Sequence, residues 1–361
     1  MSESSTTALR AAVDAVEEPL LGRSLGELNL VKDVSGKRFG GDTVTIRVPV
    51  PNHPALQELD SAIKTAGGTS RLTVEFETMD DTGRHEMMER LRADVGPNLG
   101  QPGNRTRVIS VSSGKGGVGK SSVSTNLAVT LAAQGNRVGI IDGDIWGFSI
   151  PRMFGVDRPP VVIDESIIPP RAYGVQVMSM DYFVPDDKAV IWRGPMLHKA
   201  IEQFLSDVFW DAPDYLIVDM PPGTGDIAIS MAQFLPRAQV LVVTTPQPTA
   251  QRVARRAALM AEEVDQEVIG VIENMAWFTG DDGKRYELFG AGGGASLAEE
   301  LGVPLMAQIP LLPAMREGAD DGRPLAVAAP DSEAAKAFET LVGAVEAARP
   351  RVRTHPDLVI R

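Results

Sequence analysis

The sequence predicts an α/β protein: a mainly parallel sheet with helices on both faces, preceded by a small α+β domain. Three observations carry this. From residue 107 onward, nearly continuous apolar runs alternate with helix-forming stretches, the pattern of a parallel sheet covered on both sides. The first of these runs leads into Gly114-Lys-Gly-Gly-Val-Gly-Lys-Ser121 and then into a helix-forming run over 123–133, the strand–loop–helix setting of a phosphate-binding P-loop. Before residue 95 the runs instead alternate apolar and polar, as half-buried strands do.

Taken in order, residues 8–16 form a short amphipathic helix, and 28–34 and 44–50 alternate as two strands. The turn-rich Ser35-Gly-Lys-Arg-Phe-Gly-Gly-Asp42 suits a hairpin between them. A helix over 53–66 starts near Pro54 and ends at Gly67-Gly68, a third strand covers 71–77, and a weaker helical pattern covers 84–93. We therefore assign 1–94 to the small α+β domain. Residues 95–106 are rich in Gly and Pro and read as a linker, and 107–361 form the P-loop domain. Its apolar runs fall at 108–111, 138–141, 175–178, 215–218, 240–243, 268–272 and 305–309. Ligands of such sheets sit at the carboxyl ends of the strands.

Bulk properties bound the function. With 361 residues, 43% hydrophobic and 23% charged, the chain fits an ordinary globular protein of two domains, or of one large domain with an extension. A net charge of −13 disfavours nucleic acid and anionic membrane as partners. No apolar run approaches the ~20 residues of a membrane span. The opening Met-Ser-Glu-Ser-Ser-Thr-Thr lacks a signal pattern, so a cytoplasmic location is expected. There is no cysteine, which removes disulfides, thiolate metal ligands and a thiol nucleophile. His53, His85, His198 and His355 are scattered and form no metal-ligand pair at helical spacing.

The candidate site is built around the P-loop. Gly114, Gly116, Gly117 and Gly119 permit close approach of backbone N–H groups to phosphate oxygens, with Val118 and Ser122 inside the same cradle. Lys120 can reach the β- and γ-phosphates, and the Ser121 hydroxyl can ligate Mg²⁺. Lys115 is a second lysine that the motif does not need. Both a solvated loop residue and a lysine delivered to a partner's phosphates in a face-to-face dimer fit it.

Other residues gather at strand ends. In Ile140-Ile-Asp-Gly-Asp-Ile145, Asp142 ends a strand near the Mg²⁺ position and Asp144 lies where it can orient an attacking water, although Asp-Gly-Asp also makes a plain turn. Tyr215-Leu-Ile-Val-Asp219 is an apolar strand ending in a carboxylate, a pattern that holds the Mg²⁺-bound water. Gly223, in Met220-Pro-Pro-Gly-Thr-Gly-Asp226, offers an N–H to the γ-phosphate in a two-state loop, or sits in a rigid turn. Asn274, ending a later strand, offers one donor and one acceptor to adenine, or serves as a turn residue.

Together these residues resemble the Mrp/ApbC (Nbp35-like) branch of the deviant Walker A P-loop ATPases, the iron–sulfur cluster carriers. The resemblance rests on Gly114-Lys-Gly-Gly-Val-Gly-Lys-Ser121, Asp142-Gly-Asp-Ile-Trp-Gly-Phe-Ser-Ile-Pro-Arg152, Trp192-Arg-Gly-Pro-Met196, Asp214-Tyr-Leu-Ile-Val-Asp-Met-Pro-Pro-Gly-Thr-Gly-Asp226, Ile272-Glu-Asn-Met275 and Phe289-Gly-Ala-Gly-Gly-Gly294. It covers most of 105–330, and the first 90 or so residues resemble a small domain of iron–sulfur assembly proteins. It implies an Mg²⁺-dependent ATPase acting as a homodimer, with Lys115 working in trans and an iron–sulfur cluster passed to apoprotein clients or assembly proteins. The family's Cys-x-x-Cys would fall within residues 276–286, where this chain has Ala-Trp-Phe-Thr-Gly-Asp-Asp-Gly-Lys-Arg-Tyr. Clusters are normally held by thiolates. Asp281 and Asp282 are hard ligands better read as a hairpin turn, so no iron–sulfur ligands are identifiable.

Two alternatives remain. One is a nucleotide-switched dimeric scaffold or positioning ATPase acting on a protein partner. The other is a metabolic kinase, for which no acceptor site is recognisable: only Arg193 and His198 could line one, and a packing role at a helix start suits them better.

Overall fold

The computed structural model describes residues 3–36, 41–68, 72–96, 99, 103–144, 147–183, 194–223, 225–235 and 237–349. These divide into two compact units.

The first unit consists of residues 1–96 together with 158–171 and 207–211. Its elements are α1 (Glu3–Asp14), β1 (Val31–Gly36), β2 (Asp42–Val48), α2 (Leu56–Gly67), β3 (Thr73–Thr78) and α3 (Asp81–Val95). β1 and β2 pair antiparallel, and β3 joins β2 in parallel. β1 starts three residues later than the sequence suggests because Asn29 takes a left-handed φ of 55°, which no strand accommodates. The helix expected over 84–93 starts at Asp81 because the Asp80 side chain caps it, accepting from the Gly83 N–H at 2.8 Å. Gly68, with φ 65°, closes α2. The turn over 35–42 lies partly outside the described residues.

Segments 158–171 and 207–211, which the sequence assigned to the P-loop domain, pack with this first unit. The reason is apolar burial: Ile163, Ile168 and Phe209 complete a core made of Val13, Leu25, Val44, Ile46, Leu59 and Met88. An ion cluster accompanies them. Asp211 lies 2.7 Å from the Arg23 guanidinium and 3.5 Å from that of Arg171, all three largely buried. The hydrogen bond from Arg23 to Asp211 raises the Arg23 pKa, whereas burial lowers that of Arg171. Asp211→Ala would remove the buried carboxylate that Arg23 and Arg171 share, leaving Arg23 only the exposed carboxylates of Glu27 and Asp94. It is expected to cost about 3 kcal/mol of stability, read from urea unfolding of the full chain. Elsewhere in the unit, His53 Nε2 donates to Glu18 Oε1 at 2.6 Å, with both side chains fully buried and the other Glu18 oxygen accepting from the Leu20 and Leu21 N–H groups.

The second unit holds an eight-stranded sheet. Its strands are β4 (Arg107–Ser113), β5 (Val138–Asp142), β6 (Arg171–Ala172), β7 (Val175–Ser179), β8 (Tyr215–Asp219), β9 (Gln239–Thr244), β10 (Glu267–Asn274) and β11 (Leu305–Ile309). The spatial order is β6-β7-β5-β8-β4-β9-β10-β11, and all pairings from β7 to β11 are parallel. The helices are α4 (Lys120–Ala133), α5 (Gly194–Ser206), α6 (Asp226–Phe234), α7 (Pro248–Glu263), α8 (Gly293–Leu301) and α9 (Glu333–Ala347).

Alternation along β9 shows both faces covered. Leu241 and Val243 enter a core with Leu127 of α4 and Phe338 of α9, whereas Val240 and Val242 enter one with Ala254 of α7 and Leu297 of α8. After β4 the chain builds β5 to one side of it, and β9, β10 and β11 later extend to the other. This reversal opens a crevice at the carboxyl end of β4. Among the described residues no helix is long and apolar enough to cross a membrane.

Candidate functional site

β4 ends at Ser113, and the loop 114–119 delivers the chain into α4 with Gly119 in the left-handed region at φ 79°. Gly114 serves a packing role: a Cβ there would sit 2.0 Å from the Val253 carbonyl carbon of α7. Gly114→Ala therefore has to push the loop off that helix. We expect a loss of about 3 kcal/mol in stability, together with weakened nucleotide binding, measured by thermal melts with and without nucleotide.

α4 is buried over nearly all of its length, including Lys120 at 6% exposure. A buried lysine needs an anion. Lys120 Nζ donates to Asp219 Oδ2 at 2.5 Å, Ser121 Oγ donates to the same oxygen at 2.7 Å, and Ser124 Oγ reaches Asp219 Oδ1 at 2.5 Å. The carboxylate that ends β8 thus gathers the P-loop lysine and two hydroxyls of the first turns of α4. Ser124 is absent from the sequence reading. Its signal was its spacing, three and four residues beyond Ser121 and Lys120 on one helix face.

Asp142 and Asp219 are register partners on the adjacent strands β5 and β8, and both are fully buried. Burial and then the Asp219 charge push Asp142 up to about 7, against the pull of the Ile150 and Ser149 N–H groups and of Lys120. Those N–H groups donate to Asp142 Oδ2 at 3.1 Å, the Asp144 N–H donates to Oδ1 at 3.1 Å, and Ser179 Oγ donates to Oδ2 at 3.4 Å. Asp142 therefore organises the loop that carries Asp144, which is half-buried. Two buried carboxylates side by side with the Ser121 hydroxyl form an all-oxygen donor set of the kind that fits Mg²⁺.

Three expected phosphate or base contacts are engaged elsewhere. Lys115 Nζ donates to Gln247 Oε1, at the start of α7, at 3.4 Å, and so lies away from Asp219. The Gly223 N–H donates to the Ser113 carbonyl at 2.9 Å, so a contact with phosphate requires this loop to move. Asn274 is 2% exposed beneath the P-loop, where its Nδ2 donates to the Val118 carbonyl at 2.9 Å while Oδ1 has no partner. It pins the loop, and its donor is not available to a base edge in this arrangement. Gly116 and Gly117 have open space where a Cβ would be, and the Ser122 carbonyl accepts from Asn126 Nδ2 at 2.9 Å.

Next to Asn274, buried Glu273 accepts from the Gly294 N–H at 2.7 Å and from Gln308 Nε2 at 2.5 Å, anchoring the Phe289-Gly-Ala-Gly-Gly-Gly294 segment at the start of α8. This carboxylate, too, is absent from the sequence reading. Segment 276–286 forms a hairpin, Phe278–Thr279 against Arg285–Tyr286. Glu333 of α9 fixes it by accepting from Trp277 Nε1 at 3.2 Å, Thr279 Oγ1 at 3.0 Å and Arg285 Nη2 at 2.5 Å. Burial pushes Glu333 up, but these hydrogen bonds hold it below the usual carboxylate range. Asp282 accepts from the Lys284 N–H and the Tyr286 hydroxyl, the behaviour of a turn residue. Trp192 and Arg193 lie outside the described residues, as does the His198 side chain. Among the described residues no group of three or more His, Asp or Glu side chains could hold a metal ion.

A family model described as ParA, NUBPL iron-transfer P-loop NTPase, matches residues 104–346. A relative from Mycobacterium tuberculosis called iron–sulfur cluster carrier protein is 42% identical over 355 residues, covering 95% of this chain and 93% of the relative. One of the same description from Bacillus subtilis is 42% identical over 312 residues, covering 84% and 87%. Among solved structures, a nucleotide-binding protein from Archaeoglobus fulgidus in complex with ADP has a TM-score of 0.56 and 35% identity, covering 64% of this chain and 91% of its own. The cell division ATPase MinD from Pyrococcus furiosus has a TM-score of 0.54 and 27% identity, covering 67% and 98%.

Proposed function

This chain belongs to the NUBPL iron-transfer P-loop NTPase family, and from that premise we propose that it binds and hydrolyses ATP with Mg²⁺, as a cytoplasmic homodimer, to drive transfer of iron–sulfur clusters to apoprotein clients. The observation that carries the chemistry is the convergence of Lys120, Ser121 and Ser124 on Asp219 at the carboxyl end of the sheet. Lys120 exchanges the Asp219 carboxylate for the β- and γ-phosphates. That exchange frees Asp219 and the Ser121 hydroxyl to hold the metal, with Asp142 behind them. Bound Mg²⁺ draws charge off the phosphate oxygens. Asp144, on the loop that Asp142 organises, orients the attacking water. Lys115 leaves Gln247 to reach the partner's phosphates, and Gly223 leaves Ser113 to meet the γ-phosphate.

The cluster is cargo. Without a cysteine in the chain, its thiolate ligands come from the protein that donates or receives it. The same absence favours the second reading, a nucleotide-switched dimeric scaffold that moves no cluster. The two readings separate in an anaerobic assay with a cluster-loaded assembly protein and an apoprotein acceptor. The first expects faster acceptor loading that needs both this chain and ATP and disappears in Lys120→Ala. If ATP is hydrolysed but loading is unchanged, the first reading fails and the scaffold stands.

A further inference from the structure

The outer face of α7 has no part in the chemistry above. Its inner face is made of small residues, Ala250, Ala254, Ala257, Ala258 and Ala261, all buried. These let the helix lie close on the sheet and on the P-loop at Gly114. Its outer face carries Arg252, Arg255 and Arg256, all exposed, followed by Leu259 at 39% exposure. These four positions share one helical face at spacings of three, four and seven. The arginines border an open cleft of about 390 Å³ together with Pro248, Gln251 and Glu300 of the neighbouring α8. Arg255 is held against Glu300 at 2.6 Å, whereas among the described residues Arg252 and Arg256 have no ion-pair or hydrogen-bond partner.

We propose that the cleft between α7 and α8 docks an acidic, helix-forming segment of a partner protein. The segment's carboxylates meet Arg252 and Arg256, and an apolar side chain lies on Leu259. Charge decides the occupant. Arg252 and Arg256, beside the Arg255–Glu300 pair, leave this cleft locally positive on a chain of net charge −13. Guanidiniums also match carboxylates in bidentate geometry. The same net charge opposes a nucleic acid, whose phosphates would meet the surrounding acidic surface. The chain's own final residues, with Arg349, Arg351, Arg353 and Arg361, carry the wrong sign. The dock abuts the nucleotide loop, since the turn before α7 holds Gln247, the acceptor of Lys115. Movement of Lys115 toward a phosphate therefore breaks a side-chain contact at the N-terminal end of the docking helix. The inference stands independently of the cluster-transfer reading.

The test is fluorescence anisotropy of the full chain with a labelled, glutamate-rich helical peptide carrying one leucine stripe. A glutamine-for-glutamate version and a short DNA duplex serve as the other probes. The expected result is binding at low ionic strength that weakens markedly at about 0.3 M salt. The double variant Arg252→Glu/Arg256→Glu should bind about tenfold or more weakly with ATP turnover unchanged, and Glu300→Gln, which frees Arg255, should bind severalfold more tightly. No binding of the acidic peptide, equal binding by the double variant, or equal binding of the glutamine version would each overturn the proposal. So would arginine-dependent binding of DNA in preference to the peptide, or a change of oligomeric state in the double variant, which would make the face an interface between copies.

Discussion

Lys120→Ala should lower ATP turnover by about 10³-fold or more, the scale of removing a fixed cationic donor from a transferring phosphoryl group. Of the two lysines in the loop, only Lys120 lies within the cluster of Ser121, Ser124 and Asp219; Lys115 points to Gln247. The same substitution strips Asp219 of its counter-charge while Asp142 remains beside it, so the nucleotide-free protein should lose roughly 3 kcal/mol of stability as well. Steady-state phosphate release and urea unfolding read the two effects separately. Turnover within tenfold of the parent would remove Lys120 from the chemistry.

The second large effect concerns pH. Asp142, pushed up to about 7 in the folded protein, titrates near 4 when unfolded. Between those values the folded state holds a proton that the unfolded state has released. Stability therefore falls as pH rises from about 4 to about 7, and the full penalty persists above that. A shift of about three units corresponds to roughly 4 kcal/mol across the window. Asp142→Asn cannot ionise and should flatten this component, although it loses one of the acceptors used by Ser149 and Ile150. The measurement is the difference in unfolding free energy between parent and variant from pH 4 to 8, without nucleotide. A difference that does not change with pH contradicts this account of Asp142.

The parallel sheet was legible because each of its seven long strands is an apolar run bounded by helix formers, and the structure places all seven within a few residues of those runs. The P-loop was legible because its glycines and its Lys-Ser pair have fixed spacing. What stayed hidden depends on which segment meets which. Nothing local in 158–171 or 207–211 shows that Ile163, Ile168 and Phe209 belong to the core of the first unit. Asn274 was visible as a strand-end amide, but the carbonyl it engages lies far away in sequence, at Val118. Ser124 looks like any polar helix residue until β8 brings Asp219 to it. Strand order, too, follows from tertiary packing, and periodicity does not encode it.

The split composition of the first unit orders events during synthesis. Its leading 96 residues leave the ribosome lacking Ile163, Ile168, Phe209 and the Asp211 counter-ion of Arg23 and Arg171. At about 10 residues per second, that partial core waits on the order of ten seconds for residue 211. During that interval its apolar face is open to chaperones or to a neighbouring nascent chain, whereas β4 and the nucleotide loop have already been made. A stall or early stop before residue 209 therefore yields a product whose first unit lacks Phe209 in its core and the Asp211 counter-charge, however complete its own 96 residues are.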